Sequence, residues 1–299
     1  MSAELETKGR IVVGTDGSPR SEKAVDWAAG RASARKLPLL VLFVVPELPL
    51  PGRTAAAAQI HHGMNYIADY LADAQKKVDR VVAQMRQKYP TLDAEGKVVQ
   101  GAASYVLTRA SRDADQIVVG ARGEGAPLSV RLLGGVSDAV ATHAHGPVVV
   151  VGDEVHENPN GPVVVGVDGS PAAKSAIKLA FEAADVRGVP LIAINSWDFG
   201  PYDAYNAEIW EQSGEGITKS LTELVEELLA DGKAAHPNVP VEIRVIRGRP
   251  ERALVDASAE AGLVVVGSRG RGGFAGLLLG STSKHVLRES HSPVIVTRG

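Results

Sequence analysis

The chain has 299 residues, of which 44% are hydrophobic and 22% charged, and its formal net charge is −3. This composition is that of a globular protein and excludes a disordered chain, while the length favours two domains. Because cysteine is absent, thiol catalysis, disulfides and cysteine-ligated metal sites are excluded. Lys plus Arg number 32 against 35 Asp plus Glu, so the basic excess of a dedicated nucleic-acid binder is missing.

No stretch of the sequence is typical of a membrane segment. The longest apolar run, residues 39–46, is far shorter than the roughly 20 residues that span a bilayer. The first residues contain no apolar signal core. We therefore expect a cytoplasmic protein that has neither a membrane nor a nucleic acid as its partner.

The first half alternates short β-branched runs with longer helical stretches, which is typical of a parallel sheet built from βαβ units. The pattern predicts helices over 21–34 and about 55–88, and strands over 10–15, 39–45, 95–100, 116–120 and 148–151. Residues 152–161 combine charges with turn residues and predict a linker. We expect a first domain over 1–152 and a second over 161–299.

The second half repeats the plan of the first. The segment 9–19 recurs as 161–171, and aligning residues 9–46 at this offset of 152 gives 14 identities in 38 positions. Helices are predicted over 172–186 and about 205–235, and strands over 162–167, 191–197, 241–247, 263–267 and 294–297. The expected fold is α/β, with two tandem doubly wound sheets of five parallel strands.

A glycine-rich loop follows the fourth strand of the second half, where ligands bind in open parallel sheets. It is spaced Gly267-x2-Gly270-x9-Gly280-Ser281, and Ser281 begins a helix. Backbone N–H groups in such a loop and at a helix start can surround a phosphate. The alternative is a flexible lid whose glycines only permit turns.

This spacing, together with Asp168 at a strand end, resembles the ATP-binding signature of the universal stress protein family. The Val-Gly-x-Asp-Gly-Ser-Pro openings and the His-x-Pro-Val closing strands of both halves resemble that family too. The chain looks like its tandem-domain type, abundant in actinobacteria. The resemblance implies a doubly wound fold, bound ATP and a regulatory role in stress response or growth control.

The resemblance also assigns roles to residues of the second half. Asp168 and Gly166 would lie near the ribose, and the backbone around Ser196 would lie along the adenine. The phosphates would be held by the loop and the helix start: Gly267, Ser268, Arg269, Gly270, Arg271, Gly272, Gly273, Gly280, Ser281 and Thr282. Magnesium would be recruited through the phosphates, with Asp168 as an outer contact.

The first half departs from the signature. Its loop has ten residues between Gly123 and Gly134 instead of nine, and Gly135 stands where the second half has Ser281. The matching positions are Gly14, Asp16, Val44, Gly120, Arg122, Gly123, Gly125 and Gly134. Because a hydroxyl donor is missing, we expect nucleotide binding there to be weaker or absent. Asp16 and Asp168 are alternatively local caps of the first helices, beside Ser18 and Ser170.

Several functions stay open at this point. AMP, ADP and cyclic AMP are alternative ligands, since a phosphate loop does not identify the base. A Walker P-loop and a readable nucleophile are both missing from the sequence, so any enzyme activity would be slow ATP hydrolysis. A third hypothesis is a nucleotide-independent assembly module. The family resemblance implies a homodimer that pairs through the terminal strands, 148–151 and 294–297, or an internal pseudo-dimer of the two halves.

Overall fold

A computed structural model describes residues 5–47, 57–123, 133–153, 158–198, 207–271 and 278–299, without the side chains of 57–67 and 207–213. The chain forms two compact units, and the chain boundary between them follows Asp153. Among the helices within these ranges, none has the length and apolar character that crossing a bilayer requires.

The first unit is a parallel sheet with helices between its strands. The sheet order is β3-β2-β1-β4-β5, and every pairing between neighbours is parallel. The strands are β1 (Ile11–Thr15), β2 (Leu39–Val45), β3 (Ala94–Gln100), β4 (Gln116–Gly120) and β5 (Val148–Val151). The helices are α1 (Pro19–Arg35), α2 (Ala57–Lys88), α3 (Ala103–Ala110) and α4 (Gly135–His143).

The second unit repeats this arrangement, with the parallel order β10-β9-β6-β7-β8. The strands are β6 (Val163–Gly166), β7 (Leu191–Trp197), β8 (Val241–Arg247), β9 (Leu263–Gly267) and β10 (Val294–Thr297). The helices are α5 (Pro171–Arg187), α6 (Ala207–Ala235), α7 (Pro250–Ser258) and α8 (Ser281–Glu289).

The central strands are covered on both faces, which explains why their sequences lack polar alternation. Val12 and Val13, successive residues of β1, are both fully buried although their side chains point to opposite faces. Val164 and Val165 of β6 are likewise fully buried. The α/β fold class is confirmed, and every predicted strand agrees with the structure to within one residue at each end.

The first helix of each unit begins at a Ser-Pro pair. Ser18 Oγ accepts a hydrogen bond from the backbone N–H of Ser21, and Pro19 occupies the first turn. Ser170 Oγ accepts the equivalent bond from Ala173. α1 begins two residues and α5 one residue before the predicted start. Proline is favoured at the first position of a helix, because the N–H at that position needs no partner within the helix.

Alanine substitutions at two glycines of α6 are expected to have opposite effects on the stability of the protein. A Cβ at Gly232 would overlap the ring of Phe181, which is fully buried, whereas a Cβ at Gly216 would meet nothing within 4 Å. We expect Gly216→Ala to stabilise the protein by about 0.5–1 kcal/mol through helix propensity. We expect Gly232→Ala to destabilise it by about 1–2 kcal/mol, because overpacking outweighs that gain. Urea unfolding followed by tryptophan fluorescence measures both, and equal shifts would contradict the packing.

Candidate functional site

A cavity of about 620 Å³ lies at the carboxyl ends of the strands of the second unit. Its walls come from the ends of β6, β7 and β9 and from the first turns of α5, α7 and α8. This volume is in the range of small-molecule sites, and the position is the one where open α/β sheets bind ligands.

Most of the residues predicted for the second half lie together in this cavity. Those in its walls are Gly166, Asp168, Ser196, Gly267, Arg269, Gly270, Arg271, Gly280, Ser281 and Thr282. Ser268 is instead a buried link: its N–H donates to Thr297 O and its carbonyl accepts from Gly280 N–H, both at 2.7 Å. Gly272 and Gly273 lie outside the described residues.

The Asp168 carboxylate joins two segments that are a hundred residues apart in sequence. One oxygen accepts the backbone N–H of Ser170 at 3.0 Å, and the other accepts the backbone N–H of Arg271 at 3.1 Å. A Cβ at Gly270 would lie 2.5 Å from the second oxygen, so only glycine leaves room for this contact. Asp168 therefore has the local capping role and also lies in the cavity wall.

Other hydrogen bonds fix the two ends of the glycine loop. Ser283 Oγ donates to Gly267 O at 2.6 Å, and Ser170 Oγ donates to Arg269 O at 3.2 Å. At Gly267, a Cβ would clash with Ala172, which shows how closely α5 packs against the end of β9. The sequence predicted this loop from its glycines, whereas the serine bonds that hold it were missed.

The start of α8 presents backbone donors to the cavity. Its N-cap is Gly280, so no side chain caps the helix, and Ser281 is exposed. Its first turn contains no acidic residue, and Lys284 adds a positive charge. Free N–H groups, the helix dipole and this lysine all favour an anion at this point.

Arginines concentrate positive charge beside the helix start. Arg269 and Arg271 are exposed, and no side-chain hydrogen bond or ion pair links either of them to another residue in the described ranges. Burial lowers the pKa of the Arg298 guanidinium, and the charge of nearby Arg269 lowers it further. A negative group placed between Arg269 and Arg298 would relieve this repulsion.

The far wall of the cavity comes from β7. Ser196 Oγ donates to Gly248 O, and the guanidinium of Arg247 lies 6.0 Å from the ring centroid of Trp197. Asn195 also lines the cavity and is 7% exposed. The sequence prediction included Ser196 but missed Asn195. Comparison of the repeats could have indicated it, because the aligned residue is Phe43.

At the equivalent position of the first unit, a carboxylate of the chain already neutralises the arginine of the loop. Arg122, the counterpart of Arg269, forms an ion pair with Asp153 at 2.8 Å, and both side chains are about 10% exposed. Arg20 approaches the same carboxylate at 3.6 Å. In the second unit the position of Asp153 is taken by Gly299, so the equivalent side-chain carboxylate is missing.

Two further differences separate the first-unit position from the second. The α4 helix starts at Gly135 and has Asp138 in its first turn, where α8 has Lys284. The Phe43 ring lies 3.4 Å from where a Cβ of Gly17 would stand. Aromatic bulk and negative charge thus occupy places that are polar or positive in the second unit.

The remaining residues predicted for the first half keep their backbone positions. Asp16 accepts the N–H of Ser18 at 3.0 Å, and a Cβ at Gly123 would lie 2.8 Å from Asp16, as in the second unit. Gly14 and Val44 lie at the ends of β1 and β2, Gly120 ends β4, and Gly134 is the N-cap of α4. Gly125 is outside the described residues.

Comparison with known proteins identifies the family. The universal stress protein family model matches residues 8–152 and again residues 159–298. The chain belongs to the universal stress protein family. A tandem universal stress protein of Mycobacterium tuberculosis strain H37Rv is 40% identical in an alignment of 299 positions that covers 96% of each chain. The resemblance to tandem-domain universal stress proteins that the sequence indicated is therefore confirmed.

A solved universal stress protein shares the architecture, and another matches part of the chain. One from Archaeoglobus fulgidus DSM 4304 has a TM-score of 0.64 at 22% identity and covers 98% of this chain and 99% of its own. Another, crystallised in complex with cAMP, matches 46% of this chain and 98% of its own at 29% identity, with a TM-score of 0.35. The first likeness shows the fold of the whole chain.

Loss of the Asp168 carboxylate is expected to loosen the glycine loop. Asp168→Ala removes the acceptor for Arg271 N–H, and a hydrogen bond to a charged group contributes about 1.5–3 kcal/mol. We expect trypsin to cleave after Arg269 or Arg271 at least tenfold faster than in the wild type. Limited proteolysis with mass spectrometry measures this rate.

Asp185→Ala is the matched control, because Asp185 is an aspartate of the same unit that pairs with His236 outside the cavity. Its loop should be cleaved at the wild-type rate. Equal cleavage of the Asp168→Ala variant and the wild type would mean that the carboxylate does not hold the loop.

Proposed function

We propose that the second unit binds ATP and that the protein is a regulatory universal stress protein acting in stress response or growth control. The observation that carries the proposal is the anion site at the start of α8. There, backbone donors, Ser281 and Arg269 line one end of the cavity, and the charge of Arg298 lies close to that of Arg269. A polyphosphate matches this chemistry, because its oxygens accept several hydrogen bonds and carry more than one charge.

The cavity also has room for the rest of a nucleotide. From the start of α8 it extends past Asp168 to Ser196 and Trp197. A ribose next to Asp168 could donate a hydroxyl to the carboxylate, and the base would then lie towards the end of β7. ATP is the ligand that we propose, and AMP, ADP and cyclic AMP are its competitors.

The scarcity of carboxylates in the cavity wall favours a binding function over a catalytic one. Asp168 is the one carboxylate among its described wall residues, and both of its oxygens accept backbone N–H groups. With the ribose hydroxyl also bound to Asp168, the described wall offers no second carboxylate to act as a general base towards the attacking water. Slow hydrolysis is therefore the alternative function, and magnesium would enter with the phosphates. No group of three metal-ligating side chains occurs in the described ranges.

We propose further that the first unit binds nucleotide weakly or not at all. Asp153 neutralises Arg122, Asp138 opposes an anion at the start of α4, and Gly135 supplies no hydroxyl. An incoming phosphate would have to displace the Asp153 carboxylate from a largely buried ion pair. The homodimer through the terminal strands and the cytoplasmic location remain predictions.

Isothermal titration of the full chain with ATP tests this proposal. We expect one ATP per chain, and Ser281→Gly, which copies the first unit, should weaken binding about ten- to a hundredfold through loss of a hydrogen bond to phosphate. Gly135→Ser is the reciprocal control and should add no second site. Mass spectrometry of the small molecule that copurifies would identify the natural nucleotide.

Other results would favour the other hypotheses. If the purified protein holds no nucleotide and neither binds millimolar ATP nor is stabilised by it, a nucleotide-independent assembly module is correct. Rapid multiple turnover of ATP would indicate an enzyme. Two equivalent sites per chain would contradict the difference proposed between the units.

A further inference from the structure

Asn195 lines the cavity, and one polar atom of its side chain has no hydrogen-bond partner. It lies on β7 and is 7% exposed, and its Nδ2 donates to the backbone carbonyl of Val167 at 2.7 Å. Its Oδ1 is buried and has no hydrogen-bond partner. Leaving a buried acceptor unpaired costs free energy, so such atoms are rare in folded proteins and call for an explanation.

The neighbouring backbone determines which way this amide faces. The Val167 carbonyl can only accept a hydrogen bond, so the nitrogen of Asn195 must point towards it. A flipped amide would oppose two carbonyl oxygens and lose the bond. Oδ1 is therefore the atom left without a partner, and what it lacks is an N–H or O–H donor.

The sheet order sets the distance between this acceptor and the anion site. β6 lies between β9 and β7, so the tips of β9 and β7 are two strand spacings, or about 10 Å, apart. Asp168 follows β6 in the middle of this span. A ligand that puts its phosphates at the start of α8 would thus reach Asn195 with its other end, a distance that fits a nucleotide.

We propose that Asn195 selects the ligand, with Oδ1 accepting a hydrogen bond from an N–H or O–H at the non-phosphate end of the nucleotide. The donor is either the exocyclic amine of adenine or a hydroxyl of the ribose. This inference rests on the proposed nucleotide site and adds its specificity. The first unit has no such acceptor, because Phe43 occupies the aligned position.

A set of four nucleotides tests the inference on the full chain. ATP provides both donors, ITP has a carbonyl in place of the amine, and 2′-deoxy-ATP and 3′-deoxy-ATP each lack one hydroxyl. We expect the wild type to bind one of these three analogues about three- to tenfold more weakly than ATP. Asn195→Ala should weaken the binding of ATP by a similar factor and leave the binding of that analogue unchanged. The affinities of the variant for ATP and for the analogue should then be nearly equal.

Asn158→Ala is the matched control. Asn158 Nδ2 also donates to a backbone carbonyl, that of Glu260 at 2.8 Å, but Asn158 lies outside the cavity wall. This variant loses the same kind of bond and should keep the wild-type selectivity. Weaker binding of ITP than of ATP would identify the amine as the donor to Oδ1. Weaker binding of one deoxy analogue would identify the hydroxyl that it lacks as the donor.

Three outcomes would overturn the inference. Equal binding of all four nucleotides by the wild type would mean that Oδ1 meets no ligand donor. Equal weakening of all four by Asn195→Ala would show a purely structural role. Failure of the wild type to bind any of them would remove the nucleotide site itself, and the inference with it, which separates this result from the first two.

Discussion

The carboxylate of Asp168 is the interaction on which the site depends. It accepts one N–H from the start of α5 and one from the loop after β9, so a single side chain holds together the segments that form the anion end of the cavity. Both bonds are charge-assisted, which makes them stronger than ordinary backbone bonds. The close approach requires glycine at position 270, since a Cβ there would touch the carboxylate.

Duplication kept this arrangement in both units, while their charges diverged. Asp16 and Gly123 repeat the close approach of Asp168 and Gly270, so the two units share this contact at the start of the loop. What differs is the charge around it. The first unit has Asp153 against Arg122, whereas the second unit has Arg298 near Arg269. A conserved frame can thus hold two sites of opposite electrostatic character.

The fold could be predicted from the sequence because its signals are local and repeated. Apolar runs such as that of β6 mark buried strands, Ser-Pro pairs mark helix starts, and the internal repeat tests each assignment twice. The glycine loop could be predicted for the same reason. Element ends were less certain: α1 begins at Pro19, whereas the helical pattern predicted a start at residue 21.

Side-chain partners that come from distant segments could not be read in this way. The pairing of Arg122 with Asp153 joins the ends of β4 and β5, and a spacing pattern contains no information about it. Asn195 is a similar case, since a single asparagine in an apolar strand gives no signal until its neighbours are known. Alignment of the two repeats shows the substitutions, Asp153 for Gly299 and Phe43 for Asn195, but only the structure shows what they contact.

These distant contacts explain why two homologous units need not share a ligand. The ion pair of Arg122 and Asp153 is about 90% buried, and admitting an anion would require these two opposite charges to separate. The Arg269–Arg298 pair has the opposite property, because two like charges gain from an anion between them. The first unit therefore brings a carboxylate of its own to this position, whereas the second unit has a like-charged pair that an anion would stabilise.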